Sequence, residues 1–195
     1  FTFPRAINEC VQFLKCNLDY ASAQGYFMTY RKKGEFVTRP QYQGINSINY
    51  SQNDTIERFI NYRKIYCVSY YSVHRLDIFK RTINEMKKIN IKESGLNIWE
   101  SILGHMSIIS GKHKILPTLY ALRESWPVKS TGQIHPKLWD LRFNKKLIHN
   151  YHCFLDILVK EILRNVDMND YDAKNIVKKT FEDYFASSVV RKKWD

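Results

Sequence analysis

Between Asn97 and Glu124 the chain changes its period. Ile98, Ile102, Leu103, Met106 and Ile109 recur at helical spacing, which predicts an amphipathic helix over Asn97 to Ser110. Gly111 stops that helix. Lys112 to Leu116 reads as a short strand, Pro117 as a turn, and the pair Arg123 and Glu124 follows. A helix delivered through glycine into a strand is an α/β unit, which argues against an all-helical chain. Glu100 is the lone acid of the helix. It is expected at the helix start, where the backbone dipole favours a carboxylate.

The rest of the chain fits the same class. Residues 3–17 read as a helix with Pro4 in its first turn and Ile7, Cys10, Val11 and Leu14 on one face. Residues 21–43 look extended and turn at Lys33-Gly34, a hairpin pattern with alternating Tyr26, Met28 and Tyr30. Residues 44–53 are polar loop. Asp54 with Glu57 three residues on is a helix-start signal, with Ile56, Phe59 and Ile60 facing inward. Residues 66–73 have strand composition. A helix over His74 to Lys88 should bury Leu76, Phe79, Ile83 and Met86, and a connector spans 89–96. Residues 125–143, with Pro127, Gly132 and Pro136, look irregular. Helices over 144–165 and 171–186 close the chain, and the last residues from Arg191 are expected to fray. The one composition shift, at 125–143, divides an α/β part (1–125) from a mainly helical extension (126–195) packed on it.

Apolar residues make up 44% of the 195, enough for a core and too many for a disordered chain. The net charge of +12 suits an anionic partner such as a nucleotide, a nucleic acid or an anionic membrane surface, or else a solvated basic face. Cys10, Cys16, Cys67 and Cys153 form no C-x-x-C pair, so they read as reduced core thiols rather than zinc ligands. No apolar run approaches the roughly 20 residues of a membrane span. A cytoplasmic protein is expected, with peripheral contact at the inner membrane face as an option.

The order of these segments resembles one family. Phe1, Pro4, Asn17-Leu18-Asp19-Tyr20 through Gln24-Gly25, Tyr71 to Arg75, and Gly111 to Pro117 follow the sequence order of bacterial inverting glycosyltransferases of the GT-A fold, related to family 2. Within that group the chain is similar to the second half of members with a dedicated C-terminal region, over about residues 1–125. The resemblance implies a nucleotide-sugar donor, a glycan or lipid-linked acceptor, and a divalent metal, Mg or Mn. The metal would be held by an acidic motif ahead of Phe1, so no metal ligand is expected within this chain. The first residue, without an initiator Met, fits a piece of a longer protein that would be inactive alone.

The resemblance also implies roles for individual residues. Glu100 takes the position of the catalytic base, although Ser101 follows it where the family often has a second acid. Arg123 and His113 fall where the donor diphosphate is met, with Glu124 beside them. Trp99 and His74 are candidates for the acceptor side. Each residue has a plainer reading: a first-turn Glu for Glu100, a solvated Arg for Arg123, and an exposed His between two lysines for His113. For His74 with Arg75 it is a helix cap, and for Trp99 a core ring.

A rival from another class is a basic RNA-binding or RNA-cutting protein. Arg142 and His149, with six residues between them in the tail, resemble the Arg-x(4–6)-His motif of HEPN-type ribonucleases. The α/β pattern of residues 1–120 speaks against that helical fold, so nucleic acid is not the expected partner. The lysines of the tail suggest either an anionic membrane surface or a wet basic face.

Overall fold

A computed structural model describes residues 2–33, 35–40, 49–65, 67–124 and 135–191. The chain is mixed α/β. Its elements are α1 (Pro4–Cys16), β1 (Tyr20–Lys33), β2 (Glu35–Pro40), α2 (Thr55–Lys64), β3 (Val73–His74), α3 (Leu76–Met86), α4 (Ile91–Ser94), α5 (Leu96–Ser110), β4 (Lys112–Glu124), α6 (Leu138–Phe143), α7 (Ile148–Asn165) and α8 (Asp170–Arg191). The Gly34 turn, residues 44–48 of the polar loop, residues 125–134 of the irregular stretch and the last four residues lie outside the described residues.

β1 is the centre of the sheet. β4 runs parallel to it along one edge, and antiparallel β2 and β3 share the other. The hairpin of β1 and β2 holds Met28 opposite Pro40 through to Lys33 opposite Glu35. β4 is longer than the short strand expected after Gly111. It passes through Pro117, because Gln24 faces Ile115 while Tyr26 faces Leu119, so two extra residues bulge out there. A bulge is where a strand tolerates a residue without an N–H. Opposite it, Gly25 lies so close to the Thr118 carbonyl that any Cβ at this position would collide. Thr2 bridges Ala121 on the outer edge of β4, and the Phe3 N–H donates to the Tyr120 carbonyl at 3.0 Å.

Three helices and strands differ from their sequence pattern. Residues 67–72 form turns rather than a strand: Ser69 N–H donates to Cys67 O and Ser72 N–H to Ser69 O. Only Val73 and His74 join the sheet, opposite Ala23 and Ser22. α3 is rotated from its expected face. It buries Ile78, Thr82 and Met86 and leaves Leu76 and Phe79 exposed. α5 is not amphipathic. Ile98, Ile102, Gly104, His105, Met106, Ile108 and Ile109 are buried around its whole girth, since the other elements pack on every side. The connector 89–96 contains the short helix α4.

The largest core joins α2, α3 and α5 to the tail helices. Phe59, Ile98, Ile102 and Met106 pack with Phe154, Leu158, Val177 and Phe181. His105 is enclosed there, its Nδ1–H donating to the Ser101 carbonyl at 2.6 Å and its ring edge-on to Tyr62 and Phe154. Among the described residues, α7 and α8 thus complete the core of the front part. Two arginines close helix ends from a distance. Arg58 donates to the Ile108 and Ile109 carbonyls at the end of α5, and Arg75 to the Leu14 and Asn17 carbonyls at the end of α1. Cations suit helix C-termini, where carbonyls lack partners.

Candidate active site

α5 runs through Gly111 into β4, and Arg123, at the far end of β4, acts electrostatically on Glu100 in the first half of α5. That end is also the carboxyl end of the parallel β1–β4 pair, with Thr29 opposite Arg123 and Tyr30 opposite Glu124. Crevices outside the carboxyl ends of parallel strands are the usual ligand sites of open α/β sheets.

A cleft of about 510 Å³ opens there, lined by Thr2, Phe27, Tyr30, Tyr71, Tyr120, Arg123 and Glu124 among others. Its wall is aromatic. The Phe27 ring lies 5.4 Å from that of Tyr120 and 5.8 Å from that of Tyr71, and the Tyr120 hydroxyl donates to the Tyr71 carbonyl at 2.9 Å. Burial pushes the Tyr120 phenol up to about 12, so it stays a neutral donor.

Glu100 is not in the lining of this cleft but lies within electrostatic reach of Arg123, which is. It is the fifth residue of α5, one turn further in than the expected first-turn position, and it is half-buried. The helix dipole therefore does not dominate its chemistry. Burial raises its carboxyl above the usual glutamate range, and the Tyr70 hydroxyl bond, Arg123 and His135 pull the other way. A partly dehydrated carboxylate with a raised pKa is a stronger proton acceptor than a free one. Arg123 itself is exposed on the cleft.

The start of α5 is shaped for this arrangement. Gly95 has φ 71°, a conformation that L side chains rarely adopt, and the His135 ring packs within 2.7 Å of where a Cβ would be. The Asn97 side-chain amide donates to the His135 and Pro136 carbonyls at 3.0 and 3.1 Å. His135 is thus fixed near Glu100, although it lies 35 residues on by its number.

Of the other sequence candidates, Glu124 lines the cleft with Arg123, and the rest are engaged elsewhere in the fold. His113 is fully buried, its Nδ1 paired with Ser22 Oγ at 2.9 Å; desolvation and neighbouring His74 lower its pKa to about 3. It is neither the exposed histidine of the plainer reading nor, in this conformation, open to a diphosphate. His74 pairs with Ser107 Oγ at 2.7 Å, and burial lowers it to about 4. It turns into the molecule. Trp99 is half-buried against the large core, with its indole N–H buried. Arg142 and His149 occupy two helices, α6 and α7, not one. Arg142 bonds to the Tyr151 hydroxyl and lies 4.0 Å from Glu182, while His149 meets Cys153 at 3.5 Å.

Among the described residues no three His, Cys, Asp or Glu side chains converge as a metal ion requires, so these residues do not fit a Mg or Mn site. Among them, too, no helix is long and apolar enough to cross a membrane. Sequence reasoning missed His135, Phe27 and Tyr120 at this site. No spacing signal links them, because the β1–β4 register and the return of the chain to Gly95 bring them together. Compared with known proteins, the chain matches no family model, no curated sequence and no solved structure.

Proposed function

We propose that this chain is the acceptor-side half of an inverting GT-A glycosyltransferase, transferring a sugar from a nucleotide donor to a hydroxyl of a glycan or lipid-linked acceptor. The observation that carries the reading is the half-buried Glu100 carboxylate, raised by burial and within electrostatic reach of Arg123, which is exposed at the carboxyl end of the parallel strand pair. In this reaction the acceptor oxygen attacks the anomeric carbon as its proton passes to Glu100. The bond from that carbon to the diphosphate oxygen breaks with its electron pair, the configuration inverts, and the nucleoside diphosphate departs. A positioned base contributes about 10²- to 10⁴-fold to such a step. The Arg123 guanidinium offers a fork of donors to phosphate oxygens. The aromatic wall of Phe27, Tyr71 and Tyr120 offers flat apolar faces to the acceptor.

The acidic motif implied by the resemblance would precede Phe1, and Thr2 lines the cleft. The test is a donor screen on the protein expressed from its complete reading frame. Uridine-, guanosine-, cytidine- and thymidine-diphosphate sugars are offered with Mg or Mn, and nucleotide release is measured. Release of a nucleoside diphosphate with one donor class supports the reading. No consumption of any donor, together with salt-sensitive RNA binding, contradicts it. Arg142 and His149 are engaged with different partners on different helices, which speaks against the ribonuclease alternative.

A further inference from the structure

Between α2 and α8 lies another cavity, of about 530 Å³, lined by Ile60, Arg63 and Lys64 of α2 and by Ile176, Lys179 and Tyr184 of α8 among others. It shares no residue with the cleft at Arg123. Its size is that of an ordinary small-molecule site, roughly 300–1,000 Å³. Its chemistry is two-sided. Ile60, Ile176 and the Tyr184 ring are half-buried and offer an apolar wall. Three cations join them, against the single carboxylate of Asp183 among the described residues. Arg63 is the deep one: it is 6% exposed, and its guanidinium carbon lies 3.4 Å from the centre of the Tyr184 ring. Lys64 and Lys179 are exposed at the rim.

The lysines of α8 differ by face. Lys174 pairs with Asp170 at 2.6 Å, and Lys178 lies 4.0 Å from Glu182. Among the described residues neither Lys64 nor Lys179 is ion-paired, although Asp183 follows Lys179 by one helical turn. The dipole at the end of α2 accounts for Arg63 and Lys64. It does not account for Lys179, which stands in the middle of α8. The Thr180 and Ser187 hydroxyls already donate to the Ile176 and Tyr184 carbonyls, so recognition of a polar group here falls to the cations.

We propose that this cavity binds a small amphiphilic anion, with an apolar body against Ile60, Ile176 and Tyr184 and a carboxylate or phosphate head between Lys64 and Lys179, toward Arg63. Charge complementarity selects the head, because a neutral one would leave three like charges around one space. Arg63 acts from low-dielectric surroundings, where a charge is felt more strongly than at the wet rim. An inorganic anion alone would leave the apolar wall in water, so both parts of the ligand are needed. The inference goes beyond sugar transfer and does not rest on it.

The experiment is an NMR titration of the full chain labelled at isoleucine δ1 methyls, with decanoate, decyl phosphate and decanol as probes below their aggregation concentrations. The two signals are assigned from Ile60→Val and Ile176→Val. Decanoate or decyl phosphate should shift both signals to saturation, and the tighter of the two identifies the head. Decanol should bind about tenfold more weakly, and Lys64→Glu with Lys179→Glu should weaken the anionic probes by about tenfold. Both lysines are exposed, so the urea midpoint of the double variant should stay near that of wild type. Lys160→Glu, a charge reversal at an exposed site of α7 outside the cavity, should titrate with the wild type. Unmoved Ile60 and Ile176 signals, decanol binding as tightly as the anions, or a double variant that binds like wild type would each overturn the proposal. Shifts produced only by phosphatidylglycerol vesicles, and by neither anionic probe, would also overturn it and mark this face as a membrane contact.

Discussion

Arg81 of α3 and Glu161 of α7 meet at 2.8 Å, with the Glu161 side chain 1% exposed. The same carboxylate accepts from Ser110 Oγ at the end of α5 and from Arg164. One buried acid thus ties the front helices to the tail. Burial on its own would raise its carboxyl, but Arg81, Ser110 and Arg164 overcome that and hold it below the usual glutamate range. Glu161→Gln should destabilise the chain by about 2 kcal/mol. That is less than a fully buried pair would lose, because the arginine side chains are 25% and 52% exposed and regain water. Since the folded carboxyl is the more acidic one, its contribution is present above the usual glutamate range and fades as pH falls through the folded value. Urea unfolding at neutral pH checks the first part, and a repeat at the lowest pH at which the wild type still folds checks the second: the gap between variant and wild type should narrow in acid.

Three buried histidines give the chain a second acid weakness. Burial lowers His74 to about 4 and His105 and His113 to about 3, so all three are neutral when folded. Unfolded, each takes up a proton near pH 6.5. Below that pH the unfolded chain binds more protons, so stability present above about pH 6.5 is lost as pH falls, by up to about 1.4 kcal/mol per pH unit for each histidine. Urea midpoints measured from pH 7.5 to 4.5 should fall steadily below pH 6.5. A flat profile over that range would contradict the burial of these rings.

Gly95→Ala should cost about 1–3 kcal/mol from backbone strain at φ 71°. The new methyl also meets the His135 ring, which must leave its place near Glu100. Two readings are expected together: a lower urea midpoint, and a displaced His135 ring signal by NMR. A normal midpoint with an unmoved His135 would show that the start of α5 is built otherwise.

The helices of this chain were legible because their apolar spacing and caps are local. The Asp54 side chain accepts from the Glu57 N–H at 2.6 Å, as its spacing indicated. Residues 66–73 misled because β-branched and aromatic composition reports burial, and Cys67, Val68 and Ser69 are buried in turns rather than in a ladder. Pro117 misled because a turn residue can also occupy a bulge. At the candidate site, Glu100 and Arg123 stood out as charged residues near a helix–strand junction. His135 and Tyr120 did not, since only the register and the hold of Asn97 on the returning chain bring them there. His113 looked exposed between two lysines, yet its side chain turns inward on β4 to Ser22.

The central claim is that Glu100 is a base for sugar transfer. The most direct measurement is the transfer rate of Glu100→Gln against wild type, in the protein expressed from its complete reading frame, with the donor found by screening. The account predicts a fall in kcat of about 10²- to 10⁴-fold, with donor affinity and the urea midpoint near those of wild type. Full transfer by Glu100→Gln would contradict it.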